Sequence, residues 1–207
     1  LPIVAGNVSF YNQSGDNAIP SSPMIGCFGK NIDVNKSIQN SFQSKDSVVF
    51  LLGESNYSMG GSVVASLLEI DNNDVHSFSN KKFSLILNSL IGLGSRKLIL
   101  SSRVVTRGGL AVSLCKMSFQ NNIGLNIHLA KEKFSERLFN ENLSILLEVQ
   151  NNDAKNVEKI LEKKDIPFDI IGSTCNEKTI VINDKISLSI NDAKNVWEHS
   201  LREKLLS

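Results

Sequence analysis

Three short stretches of this chain carry residue types and spacings suited to chemistry. The first, Gly6-Asn7-Val8-Ser9-Phe10-Tyr11-Asn12, crowds a glycine, amides and hydroxyls into a segment whose Val4, Val8 and Phe10 otherwise alternate with polar residues as a strand would. The other two are glycine pairs, Gly60-Gly61 within "SMGGSVV" and Gly108-Gly109 within "TRGGLAV", each directly ahead of a predicted helix. Free backbone amides and the helix dipole favour an anion at such a place, so either pair is a candidate phosphate cradle, with Arg96 and Arg107 as candidate added charge. A tight strand-to-helix turn or close packing demands glycine equally well, and two glycines alone fall short of a Walker or Rossmann motif.

The remaining reactive side chains are scattered. His76, His128 and His199 share no metal-ligand spacing, and Cys27, Cys115 and Cys175 form no Cys-x-x-Cys pair. An odd, dispersed cysteine set disfavours a secreted disulfide framework and favours a reducing cytoplasm. With 22 Lys plus Arg against 21 Asp plus Glu, and no basic stripe interleaved with aromatics, nucleic acid is not the expected partner. No apolar run reaches the length of a membrane span, so no membrane partner is expected either. The start, "LPIVAGNVSF", has neither an initiator Met nor a signal pattern, and the expectation is the middle of a longer protein.

The elements that must position these stretches read as follows. A strand is predicted over Ile3 to Tyr11, followed by the loop chemistry of "NQSGDNAIPSSP", which sets a boundary between residues 1–22 and 23–207. Beyond it, strands near Met24–Phe28, Val48–Leu52, Lys97–Leu100, Gly124–Leu129 and Ile145–Val149 alternate with helices over Ser62–Ile70, Phe83–Leu93, Leu110–Phe119 and Asp153–Lys164. "FDIIGST", "KTIVIN" and "KISLSI" read as consecutive short strands adding an antiparallel edge. Asn191 is the predicted cap of a last helix whose Ala193, Val196, Trp197, Leu201 and Leu205 form a stripe expected to lie in the core. The fold class is α/β, with an α+β-like mixed sheet and helices packed on it. A chain of this length needs no metal or disulfide to fold.

On these residues the chain resembles a known family. "PIVAGNVSFYNQS" and "IPSSPMIGCFG" are similar to the P-V-x-G-N-V-S-x-Y-N-E and P-T-P-x-I-G segments of phosphoribosylformylglycinamidine synthases, ligases of purine biosynthesis in the aminoimidazole ribotide synthetase superfamily. "DSVVFLLGESNYSMGGS", "VVTRGGLAVSL" and "GLNIHL" follow in the same order, so the resemblance covers essentially the whole chain. It departs at Gln13, where the family has glutamate. Arg103 and Val104 replace the His and Asp of H-D-V-S-D/E-G-G-L, and the S-E-S-Q signature survives only as "LFNENLS".

The resemblance implies a carboxy-terminal domain of the aminoimidazole ribotide synthetase type over 23–207, preceded by the end of an ATP-binding domain. It further implies that Gly6 lies at ATP, Asn7 reaches Mg2+ and Ser9 touches formylglycinamide ribonucleotide. Glycine lets a triphosphate approach the backbone, an amide oxygen is a hard ligand, and a hydroxyl can bond a polar substrate. The implied reaction phosphorylates the substrate amide oxygen with ATP and displaces phosphate with ammonia supplied by a glutaminase subunit or domain. No catalytic residue is expected in this chain, because the resemblance puts the catalytic histidine in the amino-terminal half of the enzyme. A noncatalytic module that completes an interface or holds a structural nucleotide is the alternative. Aminoimidazole ribotide synthetase, selenophosphate synthetase and thiamine-monophosphate kinase share the implied fold but are not expected to carry G-N-V-S-F-Y-N.

Overall fold

A computed structural model describes residues 2–8, 12–19, 22–31, 33–53, 57–70 and 79–206. Chain contacts divide it into two units, Leu1–Val34 and Asn35–Ser207. In the first unit the regular structure among the described residues is a two-stranded hairpin, β1 (Gln13–Ser14) and β2 (Asn17–Ala18), in register Gln13 with Ala18. Gly15, at φ +59, supplies its turn. The strands predicted at Ile3–Tyr11 and Met24–Phe28 are corrected: residues 3–8 and 24–28 belong to no strand and are exposed, while residues 9–11 lie outside the described residues. Strand-forming side chains do not make a strand without a ladder partner.

The second unit is built on a seven-stranded sheet. Its strands are β3 (Val48–Leu52), β4 (Ser101–Val104), β5 (Gly124–Ile127), β6 (Ile145–Val149), β7 (Phe168–Cys175), β8 (Thr179–Ile182) and β9 (Ile186–Ser189), in spatial order β4-β6-β3-β7-β5-β8-β9. Only β5 and β8 run parallel, so the predicted mixed sheet is present but mostly antiparallel. Helices cover both faces, which explains why VVFLL and ILLEV read as near-continuous apolar runs. Val49, Leu51 and Leu146 enter a cluster with Leu110, Leu114 and Met117 of α3 (Gly109–Phe119). Phe50, Leu52, Leu147 and Val149 pack on the other face against Ile86 and Leu93 of α2 (Asn80–Ser95) and Val157 and Leu161 of α5 (Asn151–Lys163). The shorter α1 (Val63–Leu67) and α4 (Phe134–Phe139) flank the sheet's loops, and α6 (Ile190–Leu206) closes the chain.

Three predicted details are corrected. The strand expected at Lys97–Leu100 begins instead at Ser101, because "KLIL" forms the exit of α2. Lys97 is left-handed at φ 56, Lys97 N donates to Gly94 O, and Leu98 N donates to Leu93 O. Asn191 lies inside α6, and Ser189 Oγ accepts from Asp192 N at 3.3 Å in the capping role. The α6 stripe is not core: Ile190 is buried at the helix start, but Trp197 is 53% exposed and Leu201 and Leu205 are 70% and 75% exposed. The indole instead lies under Lys116, with Nζ 4.3 Å from the ring centroid. Replacing Trp197 with alanine is therefore expected to cost only about 0.5–1 kcal/mol, the worth of an exposed cation–π contact. A calorimetric melt showing a loss several times larger would put the ring back in the core.

Candidate functional site

The two glycine pairs, separated by almost fifty residues in sequence, are joined by one carboxylate. Glu141, between α4 and β6, accepts through Oε1 from Val63 N at 2.9 Å and from Gly108 N at 2.8 Å. Val63 N is the first amide of α1 and Gly108 is the N-cap of α3, so one helix-start donor of each turn is used inside the chain. Ser62 completes the α1 cap by accepting from Ala65 N at 3.1 Å. At 108–109 glycine is also a steric requirement: φ is +87 and +68. A Cβ on Gly108 would stand 2.3 Å from Val112 Cγ2, and one on Gly109 would stand 2.7 Å from the Phe139 backbone.

Beside this junction lies a small polar cluster. Arg137 of α4 stacks its guanidinium on Tyr57, 4.2 Å from the ring centroid, and donates from Nη1 to the Tyr57 hydroxyl at 2.9 Å. That hydroxyl donates to Asp169 of β7 at 3.2 Å. The cavity that Tyr57, Arg137 and Asp169 line with Asn140 and Ser144 measures about 10 Å³, room for roughly one water and not for a nucleotide. Arg103 donates to Asn40 O at 2.8 Å, and partial burial holds its pKa below the usual arginine value. Arg107 and Arg96 are exposed.

A second carboxylate is wholly buried. Glu148, in the middle strand run "ILLEV", accepts from Gln43 N, Ser44 N, Ser47 Oγ and Ser101 Oγ at 2.7–3.1 Å. It fixes the segment leading into β3. Among the described residues no three His, Cys, Asp or Glu side chains gather as a metal site. Burial pushes the Cys115 and Cys175 thiols up to about 11, so neither is a ready thiolate at neutral pH. Among the described residues no helix is long and apolar enough to cross a membrane.

Of the residues implied at the ligand site, Gly6 and Asn7 lie in an exposed segment of the first unit, and Ser9 lies outside the described residues. A Cβ built on Gly6 would meet nothing within 4 Å. Glu141 and Tyr57 lie within the stretches "LFNENLS" and "DSVVFLLGESNYSMGGS", but nothing in those stretches marks them individually, and no sequence signal marks Arg137. A charge inside the apolar run 145–149 is the signal that marks Glu148, since buried charge is retained only where hydrogen bonds compensate it.

The family model for the AIR synthase related protein, C-terminal domain, matches residues 44–185. The chain belongs to that family. An AIR synthase related C-terminal domain thus accounts for β3 to β8, six of the seven strands of the sheet, and for α1 to α5. Over almost the full chain it is similar to the phosphoribosylformylglycinamidine synthase subunit PurL of Picrophilus torridus, 30% identical over 210 residues, covering 99% of this chain and 27% of that protein. The chain therefore spans about a quarter of this relative's length. Among solved structures it is similar to Thermotoga maritima PurL complexed with ATP, with TM-score 0.62 and 10% identity over 77% of this chain and 27% of that one. The same protein complexed with FGAR gives TM-score 0.63 and 12% identity over 77% and 30%. At those identities the likeness is one of fold.

Proposed function

We propose that this chain is the carboxy-terminal portion of a phosphoribosylformylglycinamidine synthase, an ATP-dependent ligase of purine biosynthesis acting in the cytoplasm. The whole reaction would convert formylglycinamide ribonucleotide, ATP and glutamine-derived ammonia to formylglycinamidine ribonucleotide, ADP and phosphate. The observation that carries this reading is the alignment of 99% of the chain with a relative of that name. Residues 1–22 are read as the end of the preceding ATP-binding domain and 23–207 as the carboxy-terminal domain. The partners are then the amino-terminal half of the enzyme and a glutaminase subunit or domain. No residue here is assigned a catalytic role.

Within this reading Gly6 approaches ATP, Asn7 supplies one oxygen to Mg2+, and Ser9 bonds the substrate. The fit to magnesium is partial. The first unit offers the Asn7 amide but only Asp16 and Asp33 as carboxylates, and Mg2+ sites use carboxylates together with substrate phosphates and water. The chain thus fits as a contributor of one ligand, with the others coming from the rest of the enzyme. Bound Mg2+ would neutralise phosphate charge during transfer.

A second reading, the noncatalytic module in the form that completes an interface, draws support from the Glu141 junction, where one helix-start amide of each glycine turn is already bonded within the chain. One assay separates the two. The purified chain, given formylglycinamide ribonucleotide, ATP, Mg2+ and ammonium, is expected to fold yet show no turnover. Turnover is expected once the upstream half is supplied, and Asn7→Ala should lower it, most strongly at limiting Mg2+. Turnover by the chain alone would overturn the assignment of roles, and no turnover with a competent upstream half would favour the module.

A further inference from the structure

We infer that Glu141 is an internal anion that pins the two glycine-pair turns to each other and closes them to external phosphate, making it a positioning residue for the stretch 57–62. The inference does not depend on the proposed ligase function. Both donors are backbone amides with no freedom to turn away, and their distances to Oε1, 2.9 and 2.8 Å, are those of charge-assisted hydrogen bonds. One of them opens α3, an eleven-residue helix whose dipole adds to the attraction. A phosphate arriving at these turns would have to displace a carboxylate already tethered beside them, whose effective concentration is set by the chain and not by solution.

The surroundings agree. Glu141 follows Asn140, whose side-chain amide donates to Glu136 O and Arg137 O at 2.8 and 3.2 Å, so α4 ends in a fixed geometry that delivers the carboxylate. Phe139 backbone atoms stand where a Cβ on Gly109 would be, so the segment carrying Glu141 is pressed directly against the second glycine pair. The adjoining cavity measures about 10 Å³, too small to take a phosphate itself. Through Val63 N the same carboxylate holds the start of α1, and with it the chain running back to Tyr57, whose hydroxyl bridges Arg137 and Asp169.

The test combines melting curves with amide resonances of the 207-residue chain. In the wild type, replacing sodium chloride by sodium phosphate, or adding ATP, at constant ionic strength should leave the Val63 and Gly108 amide signals unmoved. Glu141→Ala should displace both signals and lower Tm by roughly 5–10 °C, the loss of two charge-assisted bonds in a chain of this size. Sodium acetate, which returns the missing carboxylate, should restore part of that fall and move the same two signals, while equal chloride should not. Glu141→Gln keeps an acceptor oxygen and should retain most of the wild-type Tm, which preserves the test if the alanine variant fails to fold. Saturable movement of the Val63 and Gly108 signals by phosphate or ATP in the wild type would overturn the inference. So would an alanine variant whose Tm and amide signals match the wild type.

Discussion

Glu148→Ala should destabilise the domain by roughly 2–6 kcal/mol, because two part-buried backbone amides that cannot rotate lose the buried carboxylate that accepts from them, at about 1–3 kcal/mol each. Those amides belong to Gln43 and Ser44, and the carboxylate also serves the hydroxyls of Ser47 and Ser101. The hydroxyls can turn elsewhere: Ser47 Oγ already lies 2.8 Å from Thr174 Oγ1 and 3.4 Å from Ser44 O. Glu148→Gln should be far milder. Its remaining oxygen can serve Gln43 N and Ser44 N, and its NH2 can donate to Ser101 Oγ, since a hydroxyl accepts as well as donates. Glu148→Leu should behave like alanine despite its volume, which separates lost acceptors from lost packing. Denaturant melts of the three variants give the answer. Equal stability of the leucine variant and the wild type would mean that the network contributes nothing net.

The central sheet was legible because its strands are buried on both faces. Val48–Leu52 and Ile145–Val149 occupy the ranges that their apolar runs predict. The edge strand Ser101–Val104 was not, since three of its four residues are polar and the adjacent "KLIL" carries the apolar signal of a helix exit. Side-chain pattern reports burial, and an edge strand held by a bridge from Gln39 and a bond from Arg103 to Asn40 O needs little of it. The α6 stripe misled for the converse reason: helical periodicity shows that a face is apolar, not that this chain covers it. The candidate site divides the same way. Both glycine pairs stand out in sequence, yet their meeting depends on Glu141, which is 78 residues from Val63 and 33 from Gly108. Spacing along the chain does not encode a contact of that separation.

Gly172→Ala should have an effect as large as that of Glu148→Ala, from a different cause. Gly172 sits at an irregularity between β3 and β7, where Val49 pairs with Gly172 but Phe50 pairs with Ile170, so Ile171 is the extra residue of a bulge. Its φ of +150 is one that a side chain rarely tolerates, and an added Cβ would stand 2.0 Å from Asn126 O and 2.9 Å from Ile127 Cα. Both are backbone atoms of β5, which pairs with β7 on one side and β8 on the other, so relief requires moving a strand and not a side chain. Strain and overpacking each cost about 1–3 kcal/mol, and here both act together, giving an expected loss of roughly 2–6 kcal/mol. Gly92 provides the control. It lies within α2 with nothing within 4 Å of a built Cβ, so Gly92→Ala should raise stability by about 0.5–1 kcal/mol through helix propensity alone. Denaturant melts in which Gly172→Ala is as harmless as Gly92→Ala would show that β5 and β7 can separate at the bulge without loss, contrary to a sheet locked by backbone contact.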